Sequence, residues 1–320
     1  MDPRNKDRCE EITATPAALT RRTFIGVAAG MSLASRGIAG LAPSAAGKPD
    51  SHIAGVQIGV ITYSFRSMAD QSAQALLQYV LQAGISGVEL MGEPAEQFAG
   101  IPTGAHATRA AIAAWRASAP MDRFEQLGKM YRNAGVTIYA FKPRTFEADN
   151  TDAEMDYGMR AAKLLGASHV TVELPTDIGR TQKLGNLASR HGIRVGYHQH
   201  LQATPTLWDA ALAASPANGI NLDLGHFIAA GDFDGLEFLR QHHARITSMH
   251  LKDRKSKAHG QANLPWGAGD TPIGAALRLM RDRHYAFPAS IELEYDIPTG
   301  SDAVREVRRC LDYCREALRS

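Results

Sequence analysis

From residue 56 onward the chain alternates short apolar runs with longer amphipathic ones, eight times over, and few folds satisfy that alternation. The strand-like runs are Val56–Tyr63, Gly87–Leu90, Val136–Phe141, His169–Leu174, Arg194–His198, Gly219–Leu224, Ile246–Leu251 and Ala289–Tyr295. Between them Ala73–Ala83, Met121–Ala134, Ala153–Leu165, Leu207–Ala214, Ile273–Arg283 and Ala303–Leu318 carry apolar residues at the three- and four-residue spacing of a helix. Glycines 84, 135, 166 and 192 stand where a helix would close before the next strand. Strands that are each followed by a helix must run parallel. Eight such units without an intervening linker predict an α/β protein built as a single (β/α)8 TIM barrel.

In such a barrel the chemistry gathers at the carboxyl ends of the strands. Strand two ends in Val88-Glu89-Leu90, strand four in Val172-Glu173-Leu174 and strand five in Tyr197-His198-Gln199-His200. Strand six ends in Asp223 and His226, strand seven in His250, Lys252 and Asp253, and strand eight in Glu292 and Glu294. Any one of these has a bland reading, Asp223 as a helix cap or His250 as a hydrogen-bonded core histidine. Acids and imidazoles at six strand ends are harder to explain that way, because each would be costly to desolvate inside a dry barrel. They are expected to line an open, wet pocket. Carboxylates mixed with imidazoles suit a divalent ion, Mn, Mg, Co or Zn.

Residues 56 to about 318 resemble the xylose-isomerase-like barrel superfamily, the sugar phosphate isomerase/epimerase group that also includes endonuclease IV-type enzymes. The resemblance rests on Gly87-Val-Glu-Leu90, Gly196-Tyr-His-Gln-His200, Leu222-Asp-Leu-Gly-His226, His250-Leu-Lys-Asp-Arg254, Pro265-Trp-Gly-Ala-Gly-Asp270 and Ile291-Glu-Leu-Glu294. Ketose epimerases of this group hold their metal with a Glu on strand five, an Asp on strand six, a His on strand seven and a Glu on strand eight. Carried over by motif, the last three fall on Asp223, His250 and Glu292. The strand-five position falls on His198, a departure from the pattern. His198 is expected either to bind the metal or to act as a base, with Glu173 as the other source of the missing carboxylate.

On this resemblance Glu292, with His198 or Glu173, moves the proton, while Glu89, His200, His226, Lys252, Arg254 and Glu294 contact substrate. Lys252, Arg254, Lys255 and Lys257 together form a charge run that would hold a phosphate or sugar acid, or be solvated. The implied activity is metal-dependent isomerisation or epimerisation of a sugar or keto-sugar through an enediolate. A lyase or hydrolase of 3-keto-glycosides is the alternative on the same barrel, ahead of an endonuclease IV-like phosphodiesterase or a sugar-binding protein without catalysis.

Residues 1–50 read differently from the barrel at 51–320. Arg21-Arg22 precedes a small, apolar run from Gly26 to Gly40 and then Ala42-Pro-Ser-Ala-Ala-Gly47, the layout of an export signal, and the paired arginines resemble the twin-arginine kind. This predicts a periplasmic protein that engages the twin-arginine machinery and keeps no stable membrane attachment once the signal is cleaved. A net charge of +2, with basic residues interleaved among acids, argues against a nucleic-acid partner. A small carbohydrate is the expected partner, and a homo-oligomer is compatible with the sequence. Of three cysteines, Cys310 and Cys314 lie four apart on the last helix, a spacing for a packing stripe rather than a disulfide.

Overall fold

Eight parallel strands close on themselves. In the computed structural model, which describes residues 47–231 and 233–320, they are β1 Val56–Ile61, β2 Gly87–Met91, β3 Thr137–Lys142, β4 His169–Glu173, β5 Arg194–His198, β6 Asn218–Asp223, β7 Ile246–Leu251 and β8 Ala289–Ile291. Each pairs with its sequence neighbours and β8 returns to β1, so the expected (β/α)8 barrel is the observed one and the eight-stranded barrel itself is closed. The twin-arginine segment and Cys9 lie outside the described residues. Among the described residues no helix is long and apolar enough to cross a membrane.

Period-two alternation turns Val56, Ile58 and Val60 of β1, Val88 and Leu90 of β2, and Met249 and Leu251 of β7 outward against the helices, all fully buried. Each such aliphatic side chain contributes about 1.5–3 kcal/mol. The last helix, Ala303–Arg319, buries Val304, Val307, Leu311, Cys314 and Leu318 at helical spacing, with Cys310 on the same stripe as a second free thiol. The inward faces are different in kind. Gly59 points into the barrel, where a Cβ would overlap the Tyr139 hydroxyl, so only glycine admits that ring.

Four strands end earlier than their apolar runs suggest, β4 only by Leu174. β8 stops at Ile291 because Ser64 Oγ takes the Leu293 N–H at 3.1 Å and Arg66 Nη1 donates to the Leu293 carbonyl, replacing the ladder. β1 gives way to the 3₁₀ turn Thr62–Phe65. β6 stops at Asp223, whose side chain caps the helix Leu224–Ala230. Helices Gly92–Ala99, Arg109–Ala117, Ile178–His191 and Gly235–His242 escape the periodicity reading. Ile178–His191 is polar and holds two glycines, yet it forms because Leu184, Leu187 and Ala188 are buried and Asp177 caps it.

The excursion between β2 and β3 is tied down by a buried ionic knot. Arg116 donates to Glu96 at 2.8 Å and to Glu154 at 3.1 Å, and Arg109 reaches both oxygens of Glu154 at 2.8 and 2.7 Å. Burial raises the pKa of Glu154, but Arg109, the Thr151 N–H and Arg116 lower it further, from 4.5 to about 2. A carboxyl depressed on folding stabilises the protein fully above its unfolded pKa and loses that contribution as pH falls through the folded value. Stability should therefore drop between pH 4.5 and about 2, by up to about 3 kcal/mol from this group. Urea unfolding of wild type and Glu154→Gln across that window checks it. A gap between the two proteins that does not narrow towards pH 2 would contradict the assignment.

Candidate active site

The alternation that sends aliphatic residues outward sends polar ones inward, level above level. On β7 they are Ser248 and His250, with Lys252 just beyond. On β6 they are Asn221 and Asp223, on β5 His198, on β2 Glu89, and on β8 Ser290 followed by Glu292 and Glu294. The upper members meet at the carboxyl ends of the strands. Lys252 Nζ lies 2.8 Å from Asp223 Oδ2, 2.9 Å from Glu292 Oε2 and 2.9 Å from Glu294 Oε2. His250 Nε2 donates to Glu89 Oε2 at 2.8 Å, and its Nδ1 faces Glu292 Oε2 at 3.0 Å.

These groups do not line the open, wet pocket that their charge suggests. Glu89, Asp223 and His250 are 0% exposed, His198 1%, Lys252 2% and Glu292 5%. All but His198, whose partner is the neutral Asn221 amide, are desolvated against an opposite charge in contact, which is how a barrel interior tolerates ions. Local structure aims them. Asp223 Oδ1 accepts the His226 N–H at 2.8 Å as a helix cap, which leaves Oδ2 for the cluster. Gln199 clamps the Asp223 backbone from both sides, donating to its carbonyl at 2.7 Å and accepting its N–H at 3.1 Å.

The cluster is short of positive charge. Among the described residues three carboxylates, Asp223, Glu292 and Glu294, share the Lys252 ammonium, Glu89 is held by His250, and the nearby Lys142 ammonium is paired with Glu173. Asp223 Oδ2, His226 Nε2, His250 Nδ1, Lys252 Nζ and Glu292 Oε2 are buried without a partner at hydrogen-bonding angles. With its Nε2–H given to Glu89, a neutral His250 would point a lone pair at Glu292, so that contact needs a second proton or a cation. Burial lowers the pKa of His250, but Glu89 and Glu292 outweigh it and raise it to about 10. Burial raises Glu292, yet the Lys252 ammonium and His250 hold its carboxyl well below the usual range. Burial lowers Lys252, while Asp223, Glu292 and Glu294 lift it above an ordinary lysine. One ligand atom each from His198, Asp223 and His250 lies within 4.8 Å of the other two. Orphaned oxygen and imidazole donors with excess negative charge fit a divalent cation.

The remaining candidates divide between the edge of the cluster and the rim. Arg254 Nη1 donates to His226 Nδ1 at 2.6 Å, so His226 keeps its proton on Nε2, 3.8 Å from Asp223 Oδ2 and 3.7 Å from Glu294 Oε2. Burial and then Lys252 lower the pKa of His226 to about 2, and the ring stays neutral. The other nitrogens of Arg254 hold the Gln261 carbonyl at 3.2 and 2.7 Å, so this residue reaches the cluster only through His226. Glu173 and His200 stand half-exposed on the rim, 4.0 Å apart, with Glu173 paired to Lys142 at 2.9 Å. With His198 they form a second grouping of close ligand atoms. Asp253 turns away to accept the N–H groups of Gly267 and Gly269 at 2.7 and 2.9 Å, shaping the Pro265–Asp270 loop.

The basic run 252–257 does not form one anion-binding patch. Lys252 points inward, Arg254 is spent on the loop, and Lys255 pairs with Asp270 at 3.2 Å. Sequence reading passes over Gln199, Asn221 and Ser248. An amide between two histidines and a serine two before His250 were the available signals, and neither residue type announces a role without its contacts.

Fold and cluster together define a (β/α)8 barrel with a buried ionic site at the carboxyl ends of its strands. The model of the xylose isomerase-like TIM barrel family matches residues 77–314, and the chain belongs to that family. An inosose dehydratase of Clostridium perfringens is 29% identical over 136 residues, 36% of this chain and 45% of the relative, so the match spans less than half of that enzyme. Among solved structures, the probable 3-DHS dehydratase AsbF involved in petrobactin synthesis, from Bacillus anthracis, superposes with a TM-score of 0.60 at 16% identity over 80% of this chain and 98% of that one. A 3-keto-D-glucoside 4-epimerase from E. coli does so with 0.58 at 13% identity over 82% and 99%. The likeness to these two is one of fold.

Proposed function

We propose that the chain is a divalent-metal-dependent enzyme that isomerises or epimerises a sugar or keto-sugar by moving a proton next to a carbonyl. The observation that carries this is the buried, charge-deficient cluster of Asp223, His250 and Glu292 beside His198. Those four residues would hold a divalent ion, which when bound supplies Lewis-acid polarisation of a substrate carbonyl. Glu292, ionised at any working pH, is the carboxylate positioned to take the proton from carbon. Lys252, lifted above an ordinary lysine by Asp223, Glu292 and Glu294, is read as a positive charge rather than a base. It offers positive charge to the enediolate oxygens and restrains Glu292 and Glu294. His226 presents Nε2–H as a neutral donor to a substrate hydroxyl.

Elimination is the second reading, and the position on β5 favours it. Epimerisation asks for a base on each face of the sugar. Here the buried carboxylates come from β2, β6 and β8, β5 contributes an imidazole, and Glu173 is half-exposed and tied to Lys142. One carboxylate base with a neutral donor opposite suits loss of a β-substituent, as in a 3-keto-glycoside lyase or a dehydratase. The name of the inosose dehydratase relative agrees with that chemistry. Incubation of Mn²⁺- or Co²⁺-loaded protein with keto-sugars and 3-keto-glycosides in D₂O, followed by NMR, separates the two. Deuterium at the carbon next to the carbonyl with a moved or inverted hydroxyl supports the first reading, and release of the β-substituent supports the second. Metal-loaded protein that exchanges no carbon-bound proton across the panel would sink both.

A further inference from the structure

Below the ionic cluster the barrel interior holds a continuous chain of hydrogen bonds that no proposed catalytic step uses. His198 Nδ1 meets Asn221 Oδ1 at 2.7 Å, Asn221 Nδ2 donates to Ser248 Oγ at 2.6 Å, and Ser248 Oγ meets His169 Nε2 at 2.9 Å. His169 Nδ1 then meets Ser168 Oγ, which donates to the Tyr139 carbonyl, both at 3.0 Å. His169, Ser248, Asn221 and His198 are each at most 1% exposed. Three successive strands and β7 each supply a member, so the chain spans the barrel from its amino end to the site.

Its polarity follows from the far end. A carbonyl can only accept, so the Ser168 hydroxyl spends its one proton on Tyr139 and accepts from His169 Nδ1–H. His169 Nε2 is then an acceptor, and the Ser248 hydroxyl donates to it. Ser248 Oγ in turn accepts from the Asn221 NH₂, which turns Asn221 Oδ1 to His198. That oxygen can only accept, so His198 carries its proton on Nδ1 and keeps a lone pair on Nε2, the nitrogen left for the Asp223–His250 cluster.

We infer that Asn221, backed by Ser248 and His169, is a positioning residue that selects the His198 tautomer with Nε2 free to ligate. A ligand histidine whose other nitrogen is held in this way is oriented and made more basic, and loss of the partner typically costs roughly 10–100-fold in metal affinity. His198 as a ligand belongs to the function proposed above, so the tautomer is measured apart from any metal.

Metal-free protein labelled with ¹⁵N at histidine should show His198 protonated on Nδ1. Asn221→Leu should populate both tautomers and weaken Mn²⁺ binding by roughly 10–100-fold in calorimetry, while Asn221→Asp, which keeps an oxygen facing Nδ1, should retain the wild-type tautomer. Ser248→Ala, a smaller change, should loosen the same selection if Asn221→Leu does not fold. A His198 protonated on Nε2 in wild type, or a tautomer unchanged in both Asn221→Leu and Ser248→Ala, overturns the inference whatever the metal does. Selection by Asn221 in a protein that binds no Mn²⁺ would keep the positioning role and remove the metal reading.

Discussion

Asp223→Ala should lose the bound divalent ion and on the order of 10³-fold or more in turnover while the barrel stays folded. The rate loss corresponds to several kcal/mol of transition-state stabilisation. Asp223 sits at the end of β6, outside the aliphatic layer between strands and helices, so its removal leaves that layer intact. The local cost is the cap on Leu224–Ala230, about 0.5–2 kcal/mol. Asp223→Asn separates the two roles, since its amide oxygen can still cap while the negative charge beside Lys252 is gone. It should recover stability and leave metal content low. The check is metal analysis beside the rate on one identified substrate. A full equivalent of metal with wild-type turnover in Asp223→Ala would mean that the site has been placed wrongly.

Lys252→Met should destabilise the metal-free protein by about 3–5 kcal/mol, because three carboxylates lose the one cation they share in a space with little water. In a domain of this size that is a fall in Tm on the order of 6–20 °C. The variant should then gain more from added Mn²⁺ than wild type does, since the ion supplies the charge that the ammonium supplied and binds only the folded state. Turnover should stay low even with metal present, because the charge next to the enediolate oxygens is missing. Thermal unfolding with and without Mn²⁺ reads all of this. Equal stability of variant and wild type without metal would show that Lys252 is not the internal counter-ion of Asp223, Glu292 and Glu294.

The order of strands and helices, and with it the barrel, was legible in the chain because burial is periodic. Val56, Ile58 and Val60 alternate at the period of a strand, and Val304, Val307, Leu311 and Leu318 at that of a helix, whatever they pack against. The strand-end acids and imidazoles were legible for the same reason. Parity along β7 places His250 and Lys252 on one face, and parity beyond β8 does so for Glu292 and Glu294. The polar helix Ile178–His191 was not, since it forms only against its neighbours. Tertiary structure alone decided which charges touch. Nothing local in Lys252 distinguishes it from Lys255, yet one closes on three carboxylates and the other on the single Asp270, because β6 and β8 flank β7 and bring their carboxylates to Lys252 from either side. The partner of His250 is Glu89, 161 residues away, and that of His198 is Asn221 on the adjacent strand. Side-chain type and period are properties of the chain. Distance, desolvation and the direction of a hydrogen bond exist only once the barrel has closed.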